Sequence, residues 1–185
     1  MMKPHTKSLL GSGLLAAIIA GCAHEHRSSA VSDDGVPAAL KVPENQILTI
    51  AARGAGVQIY RCEATLAEPT VFAWTLKAPE ATLRYETGKT LGKHYAGPTW
   101  EALDGSKVVG EVVARDDAPQ PTAIPWLLLR AKQASGDGVF GAVQSIQRLH
   151  TSGGKAPTTG CDHAYAGTEV RVDYSADYYF YSARP

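Results

Sequence analysis

Short runs of β-branched and aromatic residues, each cut off by glycine, proline or a turn, recur along this chain from Ile47 to Tyr181. That pattern limits the fold more than any other feature. Such a run is too short to bury a helical stripe, but it fits one pleated strand, and strands must pair with one another to satisfy their backbone groups. The clearest runs are Ile47–Ile50, Val57–Cys62, Val71–Leu76, Ala81–Tyr85, Lys107–Ala114, Thr168–Tyr174 and Asp177–Tyr181. Gly54–Gly56 reads as a turn between the first two. Asp104-Gly105 reads as a tight hairpin turn whose two central residues take positive φ. Asp116–Thr122 is a proline-bearing loop. Ile124–Lys132 and Ala142–Thr151 each read equally as a strand or as a short helix. The expectation is a mostly β, single-domain antiparallel sandwich or barrel with one or two short helices, over residues 42–185.

The amino end has a different grammar. Lys3, His5 and Lys7 form a basic start, followed by the apolar stretch Leu9–Ile19, interrupted by Gly11 and Gly13. It is too short for a transmembrane helix, which needs roughly 20 apolar residues, and it fits the core of a secretory signal peptide. Ile19-Ala20-Gly21-Cys22 resembles the bacterial lipobox. The resemblance implies cleavage before Cys22 and acylation of its thiol, with residues 1–21 as signal peptide and 22–41 as a flexible tether. Ala23, rather than Asp, after the cysteine resembles the pattern that sorts lipoproteins to the outer membrane. The expected location is the bacterial cell envelope, lipid-anchored in the outer membrane and facing the periplasm. His24 and His26, in the tether, read as solvated.

Charge narrows the partners. Lys+Arg 18 balance Asp+Glu 18, and no long basic run appears, which argues against nucleic acid. Loss of Lys3 and Lys7 with the signal peptide leaves 18 − 2 basic against 18 acidic residues, a net charge of −2. The membrane partner is therefore reached through acyl chains on Cys22, at about 0.8 kcal/mol per buried CH₂, and not through a basic patch.

With Cys22 lipidated, Cys62 and Cys161 remain, and an even pair in an oxidising compartment reads as a disulfide. It closes a loop of about 100 residues, worth about 4–5 kcal/mol in the chain-entropy model. Cys161, Asp162 and His163 have no second cysteine or histidine at ligand spacing, so no metal is assigned, and no cofactor is expected.

Several segments carry chemistry-bearing residues. Between His94 and Ser106, His94 can shuttle a proton near neutral pH, with Glu101 or Asp104 as an acid/base partner. Tyr95 and Trp100 can stack on a flat ligand. The same residues also read as a strand end, a core tryptophan and a turn. Alternation places Tyr178 and Phe180 on one face and Tyr179 and Tyr181 on the other, so Tyr179 and Tyr181 form either a stacking platform or a covered surface. Arg148, beside Ile146, reads as half of a structural ion pair with a carboxylate such as Asp173. Gly136-Asp137-Gly138-Val139-Phe140-Gly141 satisfies G-x-G-x-x-G, but a polar segment from Arg130 to Ser135 separates it from the preceding apolar run. A dinucleotide site needs a strand leading straight in and a helix leading out, so this reads as a plain glycine loop. G-x-S-x-G, H-E-x-x-H and P-loop signatures do not occur.

Several motifs stand in a fixed order: Gly56–Cys62, Trp74, Pro79-Glu80-Ala81, Gly92–Glu101, Asp104-Gly105-Ser106, Ile124–Leu128, Ile146-Gln147-Arg148, Gly153-Gly154, Cys161 and Tyr178–Tyr181. Together they resemble the family catalogued as domain of unknown function 3455, over nearly everything from Val42 to Tyr181. The resemblance implies an exported protein of bacterial envelopes or fungal secretions. It supplies no catalytic residues, and the malate dehydrogenase label carried by some members has only the glycine loop to rest on. The expected function is a non-catalytic envelope binding or structural module for a small molecule, glycan or protein. The alternative is an envelope enzyme, such as a hydrolase, using His94 with Glu101 or Asp104. A dinucleotide-dependent oxidoreductase has the least support.

Overall fold

The computed structural model describes residues 1–2 and 35–185. Cys22, the expected signal peptide from Lys3 onward and the expected tether up to Asp34 lie outside the described residues. Eight strands follow in chain order: β1 (Gln46–Ala64), β2 (Phe72–Arg84), β3 (Thr90–Tyr95), β4 (Thr99–Ala102), β5 (Lys107–Asp116), β6 (Trp126–Ser135), β7 (Val143–Gly153) and β8 (Glu169–Ala183). Each pairs antiparallel with the next, and β8 returns to β1, so the sheet closes into a barrel. Closure leaves no strand edge to protect, and of the two expected β architectures the barrel is the one formed. Helical structure among the described residues is confined to two 3-10 turns, Ala38–Leu40 and His163–Tyr165. Among the described residues no helix is long and apolar enough to cross a membrane.

Some expected boundaries move. Gly54–Gly56 is not a turn, because β1 runs unbroken through it. The two glycines are needed for close approach: a Cβ on Gly54 would lie 2.6 Å from Cε2 of Tyr178, and one on Gly56 would lie 2.6 Å from Cα of Ala81. Val71–Leu76 and Ala81–Tyr85 likewise merge into β2. Pro79 is tolerated within it because β2 pairs with β3 only from Ala81 to Arg84, so no strand needs an N–H from Pro79 on that side. Both ambiguous stretches are strands, since each has antiparallel partners on both sides.

The Asp104-Gly105 hairpin exists, but only Gly105 has positive φ, at 84°. Gly105 N–H donates to the Ala102 carbonyl at 3.0 Å, and Ala102 N–H to the Ser106 carbonyl at 2.9 Å. The chain therefore uses a longer loop ending in a left-handed glycine rather than a two-residue turn.

An eight-stranded barrel is just wide enough for side chains to fill it or for one small ligand to enter. Here the half bounded by the β2–β3, β4–β5 and β6–β7 turns is filled. Leu83, Val108, Ile146, Phe140 and Phe180 are fully buried there, and the Phe140 and Phe180 rings lie 4.7 Å apart. Phe140 comes from the glycine loop between β6 and β7. That loop is latched to the neighbouring hairpin: Asp104 Oδ2 accepts from Val139 N–H at 2.9 Å, and Ser106 Oγ accepts from Phe140 N–H at 3.0 Å. The G-x-G-x-x-G segment is thus a hairpin connection that inserts a plug, with no helix leading out of it.

Outside the barrel wall a second apolar cluster forms. Val36 and Leu40 pack on Trp126, Leu128 and Leu149, and Gln147 Nε2 donates to the Leu40 carbonyl at 2.7 Å. Among the described residues, packing onto the barrel begins at Val36.

Candidate functional site

The other half of the barrel is open. At that end a cavity of about 430 Å³ is bounded by strands β1 to β7 and by the connections Ala96–Pro98 and Ile124–Pro125. This is within the usual range for small-molecule sites, roughly 300–1,000 Å³. Strand registry explains which side chains reach it. Gln58 and Tyr60 follow Gly54 and Gly56 on the inward face of β1. Arg148 is in register with Leu127 on one side and Tyr178 on the other, and all three turn inward. His94 is in register with Ala81 and Trp100.

The floor of the cavity is aromatic. His94 and Trp100 stack with ring centroids 4.4 Å apart, and Tyr178 meets the His94 ring edge-on at 5.3 Å. His94 Nδ1 lies 2.9 Å from the Thr99 carbonyl. A carbonyl only accepts, so the proton sits on Nδ1 and Nε2 carries the lone pair. Burial pulls the imidazole from 6.5 to about 3, with the Arg148 charge adding to the effect, so the ring is neutral at physiological pH. Burial also raises the hydroxyls of Tyr60, Tyr174 and Tyr178, which stay protonated. Tyr174 and Tyr178 place their hydroxyl oxygens 3.3 Å apart.

The wall is held by backbone contacts. Tyr60 donates to the Gly154 carbonyl at 2.6 Å. Gly154 has φ of 86°, and a Cβ there would come within 3.2 Å of Gln58 Cγ and 2.8 Å of Tyr174 Cβ. Arg148 Nε and Nη2 both donate to the Pro125 carbonyl, at 3.1 and 2.9 Å. Four buried side-chain polar atoms have no hydrogen-bond partner among the described residues, and two of them, Gln58 Nε2 and Trp100 Nε1, belong to residues lining this cavity.

The disulfide between Cys62 and Cys161 is present, with Cα atoms 5.4 Å apart. It pins the β7–β8 connection against the β1–β2 hairpin at the open end. Trp74 Nε1 reinforces it by donating to the Thr159 carbonyl at 2.9 Å.

The candidate residues named from sequence do not all meet. His94 and Trp100 line the cavity. Glu101, one residue beyond Trp100 on β4, faces outward, where it accepts from the Tyr95 hydroxyl at 2.7 Å and sits near Lys107 and Lys93 at 3.4 and 3.5 Å. The Tyr95 hydrogen bond first, then the two ammonium groups, lower its pKa. Asp104 lies in the hairpin at the filled end, where the Ser106 hydroxyl and the Val139 and Ser106 N–H groups lower its pKa. Neither carboxylate is brought to His94: strand alternation separates one and the length of the barrel separates the other. Tyr179 and Tyr181 are on the outer wall, Tyr179 against the Val36–Leu40 cluster and Tyr181 donating to Gln147 Oε1 at 2.6 Å. Arg148 does not pair with Asp173, which alternates to the outer face while Arg148 turns inward.

Gln58, Tyr60 and Arg148 were not read from sequence as a site. Their signal was there in the alternation: Ile146-x-Arg148 puts a cation on the face of a core residue, and Gly56-x-Gln58-x-Tyr60 puts two polar groups in line with a close-packed glycine. Among the described residues no group of three or more His, Cys, Asp or Glu stands together as metal ligands.

No curated protein and no solved structure matches the chain. One family model, described as "Protein of unknown function (DUF3455)", matches residues 43–182, which takes in all eight strands but the last residue of β8. The chain therefore belongs to the DUF3455 family of proteins of unknown function.

Proposed function

We propose that this chain is a lipid-anchored protein of the bacterial cell envelope, exported by residues 1–21, held in the outer membrane through acylated Cys22 and facing the periplasm, and that its barrel is a non-catalytic binding module for a small molecule. The observation that carries the binding role is the cavity of about 430 Å³ at the open end, with apolar walls and Gln58, Tyr60, His94 and Arg148 among its lining. Mostly apolar walls with a few convergent polar groups, in a space of this size, are what a small-molecule site requires. A small molecule fits better than a glycan or protein, because the tyrosines expected to form an outer stacking platform are engaged with the barrel's own residues. The enzyme alternative loses its acid/base pair, since the only titratable imidazole in the cavity is neutral and has no carboxylate beside it.

The test uses the full chain in lipid nanodiscs and the neutral fluorescent probe 1-aminoanthracene. Wild type is expected to show a saturable emission component at one probe per chain. Leu127→Trp, which fills the cavity from the position paired with Arg148, is expected to abolish that component with its melting temperature little changed. Identical titrations for the two proteins would end the binding reading. For the anchor, Cys22→Ala is expected to shift the protein out of the membrane fraction, and its retention there would refute acylation.

A further inference from the structure

We propose that the ligand of this cavity is a small organic anion with an apolar body, its carboxylate or equivalent acidic head received by Arg148. This rests on the binding reading above and specifies it. The first ground is charge. Arg148, Arg115 and Lys77 line the cavity, and no Asp or Glu does. The two rim cations have carboxylates of their own: Lys77 Nζ lies 2.6 Å from Glu169, and Arg115 Nη2 lies 4.0 Å from Asp117. Arg148 makes no ion pair with any described residue; its partners are neutral, the Pro125 carbonyl and the Tyr178 hydroxyl. A guanidinium turned into a barrel without a counter-charge is costly, and a planar fork of N–H groups matches a carboxylate better than any neutral group.

The second ground is the rest of the wall. Leu127, Leu129, Val112, Leu76 and Ile124 are apolar, which excludes a fully hydrated inorganic ion as a good fit and calls for carbon beside the head group.

The experiment displaces 1-aminoanthracene from the full chain in nanodiscs with three ligands of one skeleton and three charges: 4-phenylbutyrate, 4-phenylbutan-1-ol and 4-phenylbutylamine. The acid is expected to displace the probe at a concentration at least about tenfold below the alcohol, the scale of one charge-assisted hydrogen bond, with the amine weakest. Arg148→Gln should bring acid and alcohol together, and Arg148→Lys should keep most of the preference. Should Arg148→Gln fail to fold, the wild-type series and Arg148→Lys still decide. Equal displacement by acid and alcohol, or a preference for the amine, overturns the anion assignment and leaves the binding reading standing. A preference for the acid that survives in Arg148→Gln overturns the role of Arg148. No saturable probe signal removes both.

Discussion

The two ends of this barrel are built from the same strands and differ in how their polar groups are used. At the filled end the hairpin and the plug are closed on each other: the Asp104 carboxylate takes the Val139 N–H, the Ser106 hydroxyl takes the Phe140 N–H, and Phe140 seals the interior against Phe180. At the open end a guanidinium faces inward without a carboxylate, beside an unfilled cavity. Local rules on buried charge are met at one end and broken at the other. Where a fold breaks them inside a cavity, function is the ordinary reason. The contrast also separates two kinds of histidine-to-carboxylate reasoning: a carboxylate close in sequence to His94 serves the outer wall, and another serves the plug.

The largest effect is expected at the plug. Phe140→Ala removes a fully buried ring and should cost about 3–5 kcal/mol in denaturant unfolding. It should also open the barrel from the filled end, so that the cavity takes up more 1-aminoanthracene per chain. A loss below about 1 kcal/mol would mean that the filled end is not the stability anchor, and the comparison would fail. The double variant Cys62→Ser with Cys161→Ser comes next. The link spans 99 residues, and its removal should cost about 2–4 kcal/mol. Because it pins the β7–β8 connection at the open end, amide exchange should quicken across residues 154–168 and stay slow at Phe140. Asp104→Ala is a smaller and opposite probe. It should speed exchange of the Val139 amide and lower the melting temperature by less than Phe140→Ala does, while 1-aminoanthracene binding is unchanged. Weakened probe binding in Asp104→Ala would show that the two ends are coupled.

Much of the fold was legible because strands announce themselves locally. Alternation assigned Tyr178 and Phe180 to one face and Tyr179 and Tyr181 to the other, and the structure keeps that division, with the first pair in the core. The cysteine pair was read by parity, from an expected acylation of Cys22 and an expected oxidising compartment, and the disulfide itself is present. What could not be read was which runs join. Gly54–Gly56 looks like a turn in isolation, and only the Tyr178 ring and the β2 backbone, distant in sequence, show why small residues are needed inside a continuous strand. The site was legible in part for the same reason. His94 and Trp100 stand out by residue type, whereas Gln58, Tyr60 and Arg148 become a site only when barrel closure brings β1, β7 and β3 around one space. Sequence proximity favoured Glu101 as a partner for His94, yet Glu101 follows the inward Trp100 by one residue and so must point away.

His94 tests where the boundary between the two ends lies. Its imidazole is held neutral down to about 3, against 6.5 for an ordinary histidine, chiefly by burial. The unfolded chain accepts a proton below 6.5 that the folded chain refuses. Between those two values the unfolded state binds more protons, so stability rises with pH there. The contribution is complete above about pH 6.5 and is progressively lost as pH falls toward 3, with a slope of at most about 1.4 kcal/mol per pH unit from this one site. His94→Phe, which keeps a ring against Trp100, should flatten that acid limb by one proton's worth while other groups still titrate. The imidazole Cε1–H resonance of His94 should stay fixed from pH 8 to pH 4. A midpoint near 6.5 would place water against the ring, and the open cavity would then extend past His94 and Trp100 toward the Phe140 plug.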